Sequence, residues 1–391
     1  MRKVRWDMGT ETANLSEVYP LVPFRSVSGR GVYLEDGSGR RVMDLYGGHA
    51  VAALGYAHPR LTEAIGGQAK ALQFQSNIVA MKIRDEAAER LAAFAPDPLS
   101  RVFFVNSGAE ANENALRIAL RSTGRSKVVS TEHAFHGRTA AAAAVSWGAQ
   151  SWYGFPRTPF DVTFVPRNDI EALRAAVDSD TAAVIIEPVQ GVAGAFDFSR
   201  AFMTAAREFC DRSGALLILD EVQTGVGRLG EPFGADLYGI RPDLLTAAKG
   251  LGGGFPCAAV LMTPDLAAEI GFGALGSTFG GGPLACAAIN AVLEVIESDN
   301  LLARVRETSA CIFETCVRGP VTGTCGAGLL VGLRTGPRAA NVLEALLHKN
   351  ILTGTSADPH VLRLLPPLIL ETRHVKRLAR ALEELDCETL Q

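Results

Sequence analysis

The chain has 391 residues, of which 48% are hydrophobic and 20% charged, and its formal net charge is −4. This composition is typical of a folded protein and excludes a disordered chain. The small negative charge, without a basic stretch interleaved with aromatic residues, argues against a nucleic-acid partner. The length exceeds that at which one hydrophobic core usually stops growing, so we expect a large domain and a smaller one.

The N-terminal segment, residues 1–7, carries charges but is not followed by an apolar run, which argues against a secretory signal. No run reaches the roughly 18 apolar residues that a membrane-spanning helix needs. The seven cysteines are scattered, odd in number and without the C-x-x-C spacing of zinc sites. We therefore expect reduced thiols, no metal site and a cytoplasmic location without membrane contact.

Short apolar runs alternate with amphipathic stretches through the middle of the chain. The runs predict buried strands at Val102–Val105, Lys127–Ser130, Val162–Val165, Ala183–Ile186 and Leu216–Leu219. The stretches between them predict helices at Ala111–Leu120, Ile170–Val177 and Phe202–Arg212. This alternation predicts an α/β fold with a mainly parallel sheet and helices on both faces. Ligands of such sheets bind at the carboxyl ends of the strands.

The C-terminal third has a different pattern of elements. Helices are predicted at Leu284–Glu297, Leu301–Cys316, Ala339–His348 and His374–Leu385, and strands at Leu329–Leu333 and Val361–Leu364. The glycine-rich run at residues 280–283 predicts a boundary. We expect an N-terminal arm at 1–49 that joins the small domain, a large domain at 50–283, and a small C-terminal domain at 284–391.

The segment Asn106–Glu113 (NSGAEANE) follows a predicted strand and opens a predicted helix. Small residues at a helix start expose backbone N–H groups at the positive end of the helix dipole, where phosphate binds. The alternative is an ordinary strand-to-helix turn capped by Ser107. This motif alone does not decide between the two.

The segment Leu216–Gln223 (LLILDEVQ) delivers Asp220 to the end of an apolar strand. A buried carboxylate needs a partner. A protonated pyridine nitrogen would supply one, and the ion pair would keep that nitrogen charged. A helix cap or a salt bridge are the alternatives for Asp220 considered alone.

Lys249 lies in the segment Ala247–Pro256 (AAKGLGGGFP), where an apolar strand ends among glycines. Lysines usually occupy solvated surfaces, so this position is unusual. Burial and nearby cations lower a lysine pKa and make the amine nucleophilic toward an aldehyde. The alternative is a lysine with a buried stem whose ammonium reaches solvent.

Taken together, the three segments are more specific than any one of them. Pyridoxal phosphate needs a lysine for its aldehyde, an acid for its ring nitrogen and donors for its phosphate. The order of these groups along the chain fits that cofactor. The sequence therefore predicts an enzyme in which Lys249 and Asp220 are catalytic.

These segments resemble the class III, or ω-type, aminotransferases of the fold type I superfamily, especially the acetylornithine and ornithine aminotransferases. The likeness runs from Val32–Asp36 (VYLED) to Arg363. It implies a large domain with a mainly parallel, seven-stranded sheet flanked by helices, and a smaller α+β C-terminal domain. It also implies a homodimer whose subunits share their active sites.

The resemblance assigns cofactor contacts to the positions that match the family's motifs: the phosphate to Ser107, Gly108 and Ala109, the ring faces to Phe135 and Val222, the ring hydroxyl to Gln223, the ring nitrogen to Asp220, and the Schiff base to Lys249. Thr278, in the segment GSTFGG, would reach the phosphate that the neighbouring subunit binds.

The resemblance also implies substrate-binding residues. Arg363 would bind an α-carboxylate, and Arg138 the far carboxylate of glutamate or the α-carboxylate of an ornithine-type donor, because a guanidinium pairs with a carboxylate through two bonds. A surface ion pair is the alternative for each arginine. Glu187 and His49 are further substrate-binding candidates. His49 either donates to a polar substrate group or is a packed, hydrogen-bonded histidine.

One departure from the family's pattern concerns the segment Glu187–Val192 (EPVQGV). The family usually has a second glutamate at the position of Val192, where it covers the α-carboxylate arginine when an ω-amino substrate binds. Val192 cannot do so. Either another acid shields Arg363 or Arg363 stays open.

The predicted reaction is a ping-pong transfer of an amino group from an ω-amino donor to 2-oxoglutarate, which leaves as glutamate. N-acetylornithine is the expected donor, in arginine or lysine biosynthesis. Ornithine, succinylornithine, a carrier-linked lysine and 4-aminobutyrate stay open as donors. Other readings of the same residues are an isomerase of the glutamate-semialdehyde mutase type, a decarboxylase or racemase, and a binding protein without catalysis.

Overall fold

The computed structural model describes residues 14–16, 18–387 and 390. The segment 1–7, for which we predict no secretory signal, lies outside the described residues. The strands are β1 (Ser26–Arg30), β2 (Tyr33–Asp36), β3 (Arg41–Asp44), β4 (Arg101–Val105), β5 (Lys127–Thr131), β6 (Asp161–Val165), β7 (Thr181–Ile186), β8 (Val189–Gln190), β9 (Phe196–Asp197), β10 (Leu216–Asp220), β11 (Leu244–Ala247), β12 (Ala258–Met262), β13 (Val321–Ala327), β14 (Leu330–Thr335), β15 (Ile351–Leu352), β16 (Gly354–Thr355) and β17 (Val361–Leu364).

The helices are α1 (Gly47–Ala50), α2 (Pro59–Ala71), α3 (Lys82–Phe94), α4 (Gly108–Thr123), α5 (Ala140–Ala144), α6 (Ile170–Ala176), α7 (Arg200–Ser213), α8 (Gly234–Tyr238), α9 (Pro264–Ala268), α10 (Pro283–Ser298), α11 (Leu301–Thr315), α12 (Ala339–His348) and α13 (Thr372–Glu383). None of the helices in the described part of the chain has the length and apolar character that a membrane crossing needs.

The predicted alternation of strands and helices is confirmed, with small changes at the element ends. Helix α4 starts three residues before the predicted start because Ser107 caps it, accepting a bond from the Glu110 N–H at 3.2 Å. Helix α13 starts two residues early, and its first turn is held by the Glu371 N–H, which donates to His374 Nδ1 at 3.1 Å. Capping contacts of this kind decide where a helix begins.

The main sheet has seven strands in the order β4-β12-β11-β10-β7-β5-β6. Only β12 runs against its neighbours, β11 and β4, and the remaining pairs are parallel. Strand β4 therefore points the same way as β11. The carboxyl ends of β4, β5, β7, β10 and β11 consequently meet at one edge of the sheet, where an open α/β sheet binds its ligand.

Both faces of this sheet are buried. Along β10, Leu217 and Leu219 belong to one hydrophobic cluster, and Ile218 between them belongs to another. The alternation follows from the two-residue period of a strand. Helix α4 covers one face over β7 and β10 to β12, and α7 packs against β7 and β10. This confirms the predicted layered α/β architecture.

Two smaller sheets join distant parts of the chain. Strands β1 to β3 form one with β15, which pairs in parallel with β3. Strands β13, β14, β17 and β16 form the other. Helix α10, just after the proposed boundary, packs against α2 and α3. The division into residues 1–49, 50–283 and 284–391 stays a prediction.

Candidate active site

A cavity of about 470 Å³ opens at the carboxyl edge of the main sheet. The predicted site residues on its wall are Ser107, Gly108, Ala109, Phe135, Arg138, Glu187, Asp220, Val222, Gln223 and Lys249. They come from five different strand ends, which parallel strand order brings together. Thr278, Arg363 and His49 do not line it.

The wall at the start of α4 is built from small residues. A Cβ added at Gly108 would lie 2.6 Å from Val222 Cγ1, closer than two carbon atoms approach. A larger residue at this helix start would therefore require Val222 or the helix to move. The N–H groups of the first turn of a helix have no partner within it. They make this wall suitable for an anion, as the sequence predicts.

Asp220 ends β10 and is only 3% exposed. Its Oδ1 accepts a bond from the Val222 N–H at 3.0 Å. Its Oδ2 accepts from Asn112 Nδ2 and from His136 Nδ1, each at 2.7 Å. Three donors fix the orientation of this carboxylate. Asp220 is thus held in one position in the cavity wall.

Sequence reasoning missed both Asn112 and His136. No signal in the sequence pointed to His136, whose partner Asp220 lies 84 positions away. The described residues contain no group of three His, Cys, Asp or Glu that could hold a metal. Asn112 did give a signal. It is a polar residue on the face of α4 that otherwise buries Ala111, Ala115 and other apolar side chains.

Lys249 follows β11 and has a left-handed backbone, with φ of 44°. Such a conformation is costly for a residue with a Cβ and is found at functional sites. Removal from water lowers the pKa of the Lys249 amine, although the charges of Asp220 and Glu187 oppose this decrease. Arg363 and Arg228 lower the pKa further. The amine is therefore easier to deprotonate than that of a surface lysine.

Glu187 follows β7 and is 5% exposed. Its carboxyl oxygens accept from the Phe135 N–H at 2.9 Å and the Gly191 N–H at 3.3 Å. Burial raises the pKa of Glu187 strongly, against the opposing charge of His136. The Gln223 side chain lies against Gly191, so close that a Cβ added to Gly191 would overlap Gln223 Oε1. This buried Oε1 has no hydrogen-bond partner among the described residues.

Arg138 is exposed at the cavity rim. Its guanidinium carbon lies 4.6 Å from the ring centre of Trp152 and 5.9 Å from that of Phe135. No carboxylate of the described chain forms an ion pair with it. Aromatic faces thus hold this cation while its N–H groups stay available. The sequence analysis did not identify Trp152.

Arg363 lies in β17 and is 5% exposed. Its Nε donates to the Thr355 carbonyl at 2.7 Å and its Nη1 to the Gly191 carbonyl at 3.0 Å. Its Nη2 donates to the Tyr46 hydroxyl at 2.8 Å. In the described part of the chain, then, neutral oxygens and no shielding acid hold this buried cation. Burial lowers the pKa of Arg363, and the charge of the nearby Glu187 carboxylate opposes this decrease. Whether another acid shields Arg363 or Arg363 stays open when substrate binds remains a prediction.

His49 is exposed and its ring contacts that of Tyr46 at an angle of 59°, with 4.7 Å between the ring centres. The two side chains share a hydrogen bond of 2.9 Å between His49 Nδ1 and the Tyr46 hydroxyl. The Tyr46 hydroxyl accepts from Arg363 and can either donate to His49 Nδ1 or accept from it, depending on the tautomer of His49. His49 is thus a hydrogen-bonded histidine whose Nε2 is the second ring nitrogen.

Thr278 is exposed, next to Phe279, whose side chain is 66% exposed. The preceding residue, Ser277, accepts a bond on Oγ from Asn106 Nδ2 at 3.1 Å. Asn106 lines the cavity. Thr278 is therefore solvent-exposed, and its neighbour Ser277 is bonded to the lining of the cavity.

The comparison with known proteins agrees with this arrangement. The family described as Aminotransferase class-III matches residues 16–385. This chain belongs to that family. Membership confirms the predicted enzyme class, an aminotransferase that depends on pyridoxal 5'-phosphate, and the predicted fold type.

Proteins similar to this chain align with it over nearly its whole length. The acetylornithine aminotransferase of Streptomyces clavuligerus is 42% identical over 364 residues, which cover 92% of this chain and 90% of that one. The enzyme of the same name from Methanosarcina acetivorans is 38% identical over 374 residues, covering 94% and 93%. An ornithine aminotransferase structure from Toxoplasma gondii has a TM-score of 0.89 at 28% identity, covering 95% and 92%, and shows partial occupancy of PLP at its active site.

Proposed function

We propose that this protein transfers the terminal amino group of N-acetylornithine to 2-oxoglutarate, in arginine biosynthesis. The products are the corresponding aldehyde and glutamate. The observation that carries this proposal is the cavity that Lys249, Asp220 and Arg138 line together, with Arg138 in no ion pair among the residues that the structure describes. The similarity to acetylornithine aminotransferases, at 37% to 42% identity over nearly their full length, supports the choice of donor.

The residues present fit pyridoxal phosphate. Lys249 supplies an amine of lowered pKa, and Asp220 a carboxylate fixed by three donors. The start of α4 supplies backbone donors beside Gly108, where a Cβ would collide with Val222. Gln223 Oε1 is a buried acceptor without a partner in the described chain, and the ring hydroxyl would complete it.

When bound, the cofactor supplies an electron sink for the substrate carbon that loses its proton. Lys249 Nζ is the group proposed to take that proton and return it, because its lowered pKa leaves it uncharged more often than an ordinary lysine. Asp220 would hold a proton on the ring nitrogen through its negative charge. Glu187 keeps Phe135 in place through the backbone N–H and so supports the wall of the ring site.

Two arginines are proposed to bind carboxylates. Arg138 has aromatic support and free N–H groups at the rim, so it can pair with a carboxylate that enters from solvent. No acid of the described residues pairs with Arg363, so a bound carboxylate would replace neutral oxygens as the partner of its guanidinium. His49 would donate from Nε2 to the same carboxylate. A dicarboxylic oxo acid would use both ends of the site.

The test is a panel of amino donors with 2-oxoglutarate as acceptor, with glutamate formation as the measurement. N-acetylornithine is expected to give the largest kcat/KM, and Lys249→Ala to abolish turnover. A wild-type protein that converts one substrate without 2-oxoglutarate would instead be an isomerase. Equal rates with ornithine or 4-aminobutyrate would refute the proposed donor.

We also propose that the enzyme is a homodimer whose subunits share their active sites. Support comes from an exposed apolar surface of Phe74, Ile78 and Phe279, of which Ile78 is 95% exposed. The rings of Phe74 and Phe279 are 5.3 Å apart. Thr278, the residue proposed to reach the partner's phosphate, lies beside this surface. A reducing, cytoplasmic location is proposed from the seven free cysteines.

Analytical ultracentrifugation tests the dimer. Wild-type protein is expected to sediment at twice the chain mass, and Phe279→Glu to shift the distribution toward monomer and release cofactor. Val317→Glu, at an exposed apolar residue after α11, is the control and should stay dimeric. An active wild-type monomer would refute the shared site.

A further inference from the structure

A chain of buried polar side chains runs behind Asp220. The Thr246 hydroxyl, on β11, donates to Asn112 Oδ1 at 2.7 Å. Asn112 Nδ2 lies 2.7 Å from Asp220 Oδ2 and 2.7 Å from the carbonyl oxygen of His136. Thr246 and Asn112 are 0% and 1% exposed. Solvent therefore does not replace any of these bonds.

The chemistry of the partners fixes the orientation of the amide. The Asp220 carboxylate and the His136 carbonyl only accept, so the two protons of the Asn112 NH₂ group must face them. The Thr246 hydroxyl then donates to Oδ1. Every polar atom of the Asn112 side chain has a partner. Such an amide cannot rotate without leaving buried groups unpaired, which is costly.

We infer that Asn112 is a positioning residue that holds the Asp220 carboxylate in place for the cofactor ring nitrogen, and that Thr246 acts on Asp220 through it. The inference rests on the proposed function of Asp220. Asn112 comes from α4, His136 from the loop after β5, and Asp220 from the end of β10. The Asn112 amide thus fixes the position of the Asp220 carboxylate relative to α4 and to the loop after β5.

The effect follows from the number of donors on the carboxylate. Without Asn112, Oδ2 keeps only His136, and Oδ1 keeps the Val222 N–H. A carboxylate with fewer donors is freer to turn away from the ring nitrogen. Asp220 also faces the charges of Lys249 and Glu187 in the cavity. Its hold on a ring-nitrogen proton would weaken.

The experiment compares Asn112→Leu and Thr246→Val with wild-type holoenzyme. Both substitutions keep the approximate shape and remove the hydrogen bonds. For Asn112→Leu we expect kcat to fall roughly 10- to 100-fold, the loss of one bond to a charged group, with KM changed less. The visible absorbance bands of bound pyridoxal phosphate should change their pH midpoint. Thr246→Val should give a smaller change in the same direction.

Asn114→Ala is the matched control. Asn114 lies on the same helix, and its Nδ2 donates to the Glu110 carbonyl at 2.8 Å, away from Asp220. The kcat of the Asn114→Ala protein and the pH midpoint of its absorbance bands should match those of the wild type. Thermal unfolding of each variant separates loss of fold from loss of positioning. If Asn112→Leu does not fold, Asn112→Ser and Thr246→Val provide the same readouts.

The double variant tests the order of action. Because Thr246 is inferred to act only through Asn112, Thr246→Val should lower kcat no further in the Asn112→Leu background. Independent, additive losses would overturn the inference, as would a folded Asn112→Leu protein with wild-type absorbance and kcat. A wild-type protein that shows no cofactor absorbance at all would instead refute the proposed function.

Discussion

Gly108→Ala tests the contact between the start of α4 and the cavity wall. The added methyl carbon would lie 2.6 Å from Val222 Cγ1 and 2.8 Å from Cγ2, about 0.9 Å short of an ordinary carbon–carbon contact. The backbone of Gly108 does not have a positive φ, so alanine itself is not strained there. One of the two side chains must move.

The cost of that movement depends on whether the cavity is filled. In apoprotein, Val222 can turn into the cavity of about 470 Å³ at little cost. With cofactor bound beside it, the same movement is blocked, and overpacking of this kind costs about 1–3 kcal/mol. We therefore expect roughly 5- to 150-fold weaker cofactor binding. The thermal midpoint of the apoprotein should change little.

The assay is titration of apoprotein with pyridoxal phosphate, followed by visible absorbance, for Gly108→Ala, Val222→Ala and the double variant. Val222→Ala removes the methyl groups that collide and should restore most of the affinity lost in Gly108→Ala. Wild-type affinity in Gly108→Ala would refute the reasoning. An equal loss in the double variant would show that the methyl group acts on something other than Val222.

Three further predictions concern other parts of the site. The pKa of Lys249 lies below its ordinary value of 10.5. The rate at which apoprotein captures the cofactor should therefore rise with pH and level off well before pH 10.5. A rate that is still rising at pH 10.5 would contradict a lowered pKa. Trp152→Leu removes the cation–π contact with Arg138 and should raise KM for 2-oxoglutarate about 2- to 30-fold with little change in kcat. Trp147→Leu is the control and should leave KM unchanged, because Trp147 packs on Phe164. Equal KM values for both variants would argue against the role of Trp152. Tyr56→Phe removes the hydroxyl that donates to the buried carboxylate of Asp44. It should lower the free energy of unfolding, measured by urea denaturation, by about 1–3 kcal/mol. An unchanged denaturation midpoint would show that this bond is not stabilising.

Residue order by itself determined the architecture and the chemical groups. Runs of apolar residues alternating with helical patterns are local signals, so β4, β5, β6, β7 and β10 of the main sheet and helices α4, α6 and α7 could be predicted to within a few residues, whereas β12 was not predicted. The lysine and the acid could be identified because each is a charged residue directly after an apolar strand. Parallel strand order then brings those strand ends to one edge without further information.

Only the tertiary structure decided which side chains support these groups. The bond between His136 and Asp220 joins residues 84 positions apart, and that between Asn112 and Asp220 spans 108. The bond between Tyr46 and Arg363 spans 317 positions. Such contacts depend on strand register and on how far each helix is rotated over the sheet, which no local pattern encodes. The neutral oxygens around Arg363 and the ring beneath Arg138 were therefore invisible in the sequence, where each arginine could equally be a surface ion pair.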